Sequence, residues 1–221
     1  MTLALYRFPN DTDATVFTIT RDPVVIREDL GRHRITFERV PISGMADPLT
    51  HPHTLEMLHG RLIEGFLEKG SYQSFDFIGV DAEHPAKADL REMFLAEHIH
   101  TEDEARLFLH GGGMFAFHVQ NSVFLLVTER GTLLCIPAGV RHWFDMGPTP
   151  DFTVLRMFNN ADGWVPHYTG DAIAGRYRTI DSLAAQSPVG PSIVQRTRTP
   201  ASAVGSRDPT VLIEGRKRRT V

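Results

Sequence analysis

Three residues in close succession, His98, His100 and Glu104, are followed forty-two positions after His100 by His142, and together they have the types and spacing of a metal site. On a strand, residues two apart point to the same side, so His98 and His100 can present both imidazoles to one ion. Glu104 follows across a short turn. His142 sits in the stretch GTLLCIPAGVRH, where Gly131, Pro137 and Gly139 are placed to bring a fourth ligand in from a neighbouring strand. Three imidazoles and one carboxylate without thiolate suit iron, nickel, manganese or zinc as divalent ions, and the sequence does not rank these four. An octahedral ion held by four protein groups keeps two positions for exchangeable partners, which is a catalytic arrangement rather than a closed structural one.

A single histidine on a strand is more often a hydrogen-bonded core or surface residue than a ligand. Here the combined pattern H-x-H-x3-E-x6-G and G-x5-P-x-G-x2-H constrains eight positions. His51 and His53 repeat the two-residue spacing without a following glutamate or a glycine framework, and they precede a helix; they are not expected to bind metal.

The surrounding elements agree with this reading. From about Glu97 to Phe158 short apolar runs (EHIH, EARLFLH, MFAFHV, VFLLVT, TLLCIPA, RHWFDM and FTVLRMF) alternate with polar or glycine-containing turns, the pattern of an antiparallel sandwich or barrel. Before them, 22–33 reads as a short amphipathic helix and ITFERV as a strand. Residues 50–69 carry apolar positions at helical spacing, SFDFIGV alternates like a strand, and 85–95 is helical again. Gly111, Gly112 and Gly113 read as a hairpin turn with positive φ, because no helix follows them to build a phosphate cradle. The fold class is therefore mainly β with N-terminal helices, an α/β part over 1–95 leading into a barrel core over about 96–170, within one domain spanning 1–185.

Composition narrows the function further. The 221 residues are 42% hydrophobic and 23% charged, and no apolar run approaches membrane-spanning length. A cytoplasmic protein without a membrane partner is expected. Cys135 is the only cysteine, which excludes an internal disulfide, and its neighbours suggest a core position. The formal charge of −4 divides into +5 from Ser187 onward and −9 for the rest, so the main body is a poor nucleic-acid binder. Residues 186–221 read as a flexible basic tail.

The two motifs resemble those of the cupin superfamily, with Glu92 where the first usually begins with glycine and Met146 where the second often ends in asparagine. Within it, FLAEHIHTEDEARLFLHGGGMFAFHV and IPAGVRHWFDMG…FTVLRMFNNADGWV resemble the acireductone dioxygenases of methionine salvage, over roughly residues 15–170. That resemblance implies a jelly-roll-like barrel holding one Fe(II) or Ni(II) per chain. It implies oxidation of 1,2-dihydroxy-3-keto-5-methylthiopentene by O2. The products implied are 4-methylthio-2-oxobutanoate and formate with iron, or 3-methylthiopropanoate, formate and carbon monoxide with nickel. It assigns Arg106 and Arg156 to holding the anionic substrate, and Phe94, Phe144, Phe158 and Trp164 to a pocket for its methylthio end. Both arginines have a parity that can point inward, and guanidinium pairs bidentately with an enediolate.

The partners expected are a small-molecule substrate and O2, with the chain a monomer. Glu97 and Glu102, which flank the ligands, are expected as exposed turn charges rather than groups that orient an imidazole. Two other readings compete: a cupin oxygenase or isomerase acting on another small molecule, and a binding module that holds metal without turnover. Only an enzyme would consume oxygen in the presence of substrate.

Overall fold

The structure is a computed structural model that describes residues 2–9, 11–12, 14, 18–44, 47–69, 72–160, 165–184 and 217–218. Among these, thirteen strands form two antiparallel sheets. The first sheet contains β1 (Ala4–Phe8), β2 (Thr18–Thr20), β5 (His98–Ile99), β7 (Met114–Val119), β8 (Ser122–Val127), β10 (Arg141–Asp145) and β12 (His167–Tyr168), in the order β12-β5-β10-β7-β8-β1-β2. The second contains β3 (Thr36–Arg39), β4 (Ser74–Val80), β6 (Glu104–Gly111), β9 (Thr132–Ile136), β11 (Phe152–Phe158) and β13 (Lys217–Arg218), in the order β13-β4-β11-β6-β9-β3. The expected strands between Glu97 and Phe158 are all present, and SFDFIGV matches β4 end to end.

Three helices follow the same reading, α1 (Pro23–Gly31), α2 (Pro52–Lys69) and α3 (Lys87–Leu95), while a short α4 (Ile180–Ala184) was not anticipated. Pro23 opens α1, where its missing N–H costs nothing, and the Asp22 side chain accepts the N–H of Val24 at 2.9 Å. Strand β1 was not anticipated from the sequence, yet it pairs along its whole length with β8, from Ala4 opposite Val127 to Phe8 opposite Val123. Apart from β13, the basic tail expected from residue 186 lies outside the described residues.

Both faces of both sheets are covered, which is why runs such as FTVLRMF are buried along their length instead of alternating cleanly with polar residues. Phe115, Phe117, Phe124 and Phe144 of the first sheet meet Phe108, Leu134, Phe152 and Val154 of the second in the interior. Outside the first sheet, Trp143, Ala116 and Leu125 pack with Ile173, Tyr177 and Ile180. Outside the second, Leu107, Leu155 and Met157 pack with Leu55, Ile63 and Leu67 of α2. Cys135, expected in the core, is only half-buried at the margin of that outer layer, where it accepts a hydrogen bond from the Tyr72 hydroxyl at 3.5 Å.

Of the three consecutive glycines only Gly111 has positive φ, +54°. Gly113 is required for a different reason: a Cβ there would lie 2.3 Å from Cζ of Phe144. Gly113→Ala must push that buried ring aside, and a loss of about 1–3 kcal/mol is expected in a chemical melt. An unchanged midpoint would show that the ring has room to move.

Candidate metal centre

The site lies between the two sheets, where the chain crosses from one to the other. β5 ends the first sheet's share with His98 and Ile99, residues 100–103 make the crossing, and β6 opens the second sheet with Glu104. His142 on β10 is paired directly opposite His98. The short turn anticipated before Glu104 is thus an inter-sheet connection, and it places Glu104 across the interior from His98 and His142. Two bonds stitch the halves of the site together: the Gly139 N–H donates to the His100 carbonyl at 2.8 Å, and the Ala138 N–H donates to Asp103 Oδ1 at 2.8 Å.

One ring nitrogen from each of His98, His100 and His142 lies within 4.8 Å of the others. Two donors on one ion stand at most about 4.2 Å apart for metal–nitrogen bonds of ~2.1 Å, so only a small inward adjustment is needed. Each imidazole is also fixed in tautomer. Nδ1–H of His98 donates to the Ala96 carbonyl, that of His100 to Val165 at 2.8 Å and that of His142 to Val140 at 3.0 Å. The lone pair is thereby left on Nε2, the arrangement metal-bound histidines use.

Two buried polar atoms identify the face an ion would occupy. His98 Nε2 and Glu104 Oε2 make no hydrogen bond, and Glu104 Oε2 lies 3.4 Å from His100 Nε2. The other carboxylate oxygen, Oε1, is bound by Arg106 Nε. A buried lone pair without a donor is costly, and a divalent cation satisfies both atoms at once. The residues present therefore fit a divalent ion held by three Nε2 atoms and one carboxylate oxygen.

The electrostatics agree. Burial lowers His98 from the ordinary 6.5 to about 4, partly opposed by its bond to Ala96, and burial beside the His98 and His100 rings lowers His142 well below 6.5. Both are held as neutral imidazoles, the form that binds metal. Burial alone would raise Glu104, but the charge and hydrogen bond of Arg106 together with the neighbouring His100 outweigh it and hold the carboxyl below its ordinary range.

The histidine shifts set a pH dependence. In the unfolded chain these histidines take up protons near 6.5, while folded His98 does so only at about 4. The unfolded state therefore binds more protons between those values, and metal-free protein must lose stability as pH falls from about 6.5 towards 4, by roughly 1.4 kcal/mol per pH unit for each such group. Urea melts of chelator-treated protein at pH 7.5, 6 and 5 measure this, and a flat profile would contradict the neutral assignment.

Around these four side chains, Arg106 stacks over the Phe115 ring at 5.6 Å, and Arg156 is paired directly opposite it on β11. Arg156 lies over Phe158 at 5.3 Å and is gripped by Asp76 of β4, with Nε to Oδ1 at 2.8 Å and Nη2 to Oδ2 at 2.7 Å. Sequence reasoning did not single out Asp76, because its partner is 80 residues away. Phe144 continues the inner face of β10 two residues beyond His142 and packs with Phe94, Phe108, Phe115 and Phe152. Arg91 of α3 clasps Asp145 at 2.7 Å and so seats Phe94 against that cluster. Trp164 lies outside the described residues.

Glu97, expected as an exposed charge, is buried and hydrogen-bonded to His118 and Thr169, while Glu102 is half-buried and accepts from the Asn160 side chain. His51 and His53 are exposed at the start of α2.

A double-layered antiparallel barrel with three histidines and a glutamate converging between its sheets defines a metal-binding cupin. Residues 53–166 match the sequence model of the ARD/ARD′ family. The acireductone dioxygenase of Parasynechococcus marenigrum (strain WH8102) is 40% identical over 163 residues, covering 74% of this chain and 88% of that protein. That of Pseudomonas savastanoi pv. phaseolicola is 37% identical over 171 residues, covering 77% and 93%. Among solved structures, acireductone dioxygenase from Bacillus anthracis with a cadmium ion in its active centre superimposes with a TM-score of 0.66 at 23% identity, over 76% of this chain and 98% of that one. The chain belongs to the ARD/ARD′ family.

Proposed function

We propose that this protein is an acireductone dioxygenase that oxidises 1,2-dihydroxy-3-keto-5-methylthiopentene with O2 in methionine salvage, using Fe(II) or Ni(II). The observation that carries the reading is the convergence of the His98, His100 and His142 ring nitrogens beside Glu104, whose Oε2 is buried without a hydrogen bond 3.4 Å from His100 Nε2. The ion, when bound, neutralises and orients the enediol's oxygens, so no protein nucleophile is required.

The chain's own groups do the rest. His98, His100, His142 and Glu104 hold the ion. Arg106 and Arg156, on the inner face of the second sheet, favour the deprotonated substrate by charge and orient its oxygens. Asp76 holds the Arg156 guanidinium, so that cation is positioned before substrate arrives. Phe94, Phe144 and Phe158 form the wall for the methylthio end and exclude water from the reacting atoms, a role the family resemblance assigns to Trp164 as well. Residues 1–185 make up the catalytic unit, acting as a monomer in the cytoplasm, with nucleic acid no part of the activity. No described helix is long and apolar enough to cross a membrane.

Anaerobic reconstitution with Fe(II) or Ni(II), followed by assay of acireductone loss, formate and carbon monoxide, tests the proposal. Formate with both ions and carbon monoxide with nickel alone are expected. Bound metal without oxygen consumption would leave the site and remove the reaction.

A further inference from the structure

Immediately before the first ligand stands a buried carboxylate that the chemistry above does not use. Glu97 is 2% exposed. Its Oε1 lies 2.6 Å from His118 Nδ1 on β7, its Oε2 accepts the Thr169 hydroxyl at 2.6 Å, and its own carbonyl accepts the Thr169 N–H at 3.0 Å. The far nitrogen of His118 is 3.2 Å from Asp11. Burial opposes the charge on Glu97, but the bonds from His118 and Thr169 outweigh it, so the carboxyl stays below its ordinary range.

Thr169 ends the segment that forms one wall of the metal centre. Within it, Val165 supplies the carbonyl that fixes the His100 tautomer. Tyr168 is paired with His98 and lays its ring 5.4 Å from that imidazole. Side chains alternate along an extended segment, so Glu97 faces the outer side while His98 faces the interior. The Glu97–Thr169 contact is thus an external fastening that sets how two imidazoles are presented inside.

We propose that Glu97 and Thr169 are positioning residues for the metal centre: by tying the 165–169 segment to the strand that carries His98, they fix the orientation of the His98 and His100 rings. The inference rests on those two histidines being ligands. Groups that orient ligating histidines typically affect metal affinity by about 10- to 100-fold when removed.

The test compares Thr169→Val, which keeps the shape and removes the hydroxyl, with Thr169→Ser, which restores it, and with Glu97→Gln. Nickel affinity is measured on metal-free full-length protein by chelator competition, alongside its melting temperature and the visible spectrum of the Co(II)-loaded form. Expected are a roughly 10-fold weaker affinity and an altered cobalt spectrum for Thr169→Val, a larger loss for Glu97→Gln, and wild-type behaviour for Thr169→Ser. A lowered melting temperature with unchanged affinity and spectrum would reduce the contact to plain stabilisation and overturn the inference. Failure of the wild-type chain itself to bind nickel would instead overturn the ligand assignment, and this inference with it.

Discussion

His142→Ala should emerge from purification with almost no bound metal and with turnover reduced by at least ~10³-fold, the loss expected when several kcal/mol of charge stabilisation by the ion disappears. The argument is geometric. His142 is fully buried and directly opposite His98, with ring centroids 4.1 Å apart, so its Nε2 cannot be replaced by a neighbour or by bulk water. The fold should survive, because the Nδ1 bond of His142 goes to Val140 on its own side of the site and ties no two sheets together. Elemental analysis with an oxygen-electrode assay reads both effects. A double variant, His98→Ala with His142→Ala, that retained a full complement of metal would show the ligand set to be wrong. His51→Ala and His53→Ala, at exposed positions with the same spacing, should change neither quantity.

That contrast shows what local sequence can carry. The two histidines of His98–His100 and those of His51–His53 have the same separation, and the glycine and proline framework separates them, because Gly131 and Gly139 take positive φ that shapes the approach to His142. Strands between Glu97 and Phe158 were legible for a similar reason: each is bounded by turn residues. What escaped are relationships made by tertiary contact. Asp76 looks like an ordinary strand residue until β4 is set beside β11, and Glu97 reads as a charged residue next to a turn until β7 and residue 169 close on it. Strand β1 is five residues long and takes its apolar setting from β8, whose paired residues lie 115 to 123 positions away, so its own sequence carries little of the signal. The parity of Arg106 and Arg156 was readable because both stand on long strands, where they pair opposite each other. It could not foresee that each would have a carboxylate partner.

Those carboxylates make the sharpest stability prediction. Arg106→Met removes the cation bound to Oε1 of Glu104 and leaves a fully buried carboxylate without its counter-charge. Breaking one side of a buried pair costs about 3–5 kcal/mol, which for a domain of this size lowers the melting temperature by roughly 6–20 °C. The loss should be large only in metal-free protein, since a divalent ion at Oε2 supplies the missing positive charge. Nickel addition should therefore raise the melting temperature of Arg106→Met by more than it raises that of wild type. The pH dependence should also change sign for this group. With Arg106 present, Glu104 is held below its ordinary range and contributes stability that is lost on acidification. Without it, burial pushes the carboxyl above that range, so the penalty is greatest at high pH and fades as Glu104 takes up its proton. Melts of both proteins with and without nickel at pH 5 and 8 resolve the two effects. Equal destabilisation in all four conditions would mean that Arg106 acts through packing on Phe115 rather than through the charge of Glu104.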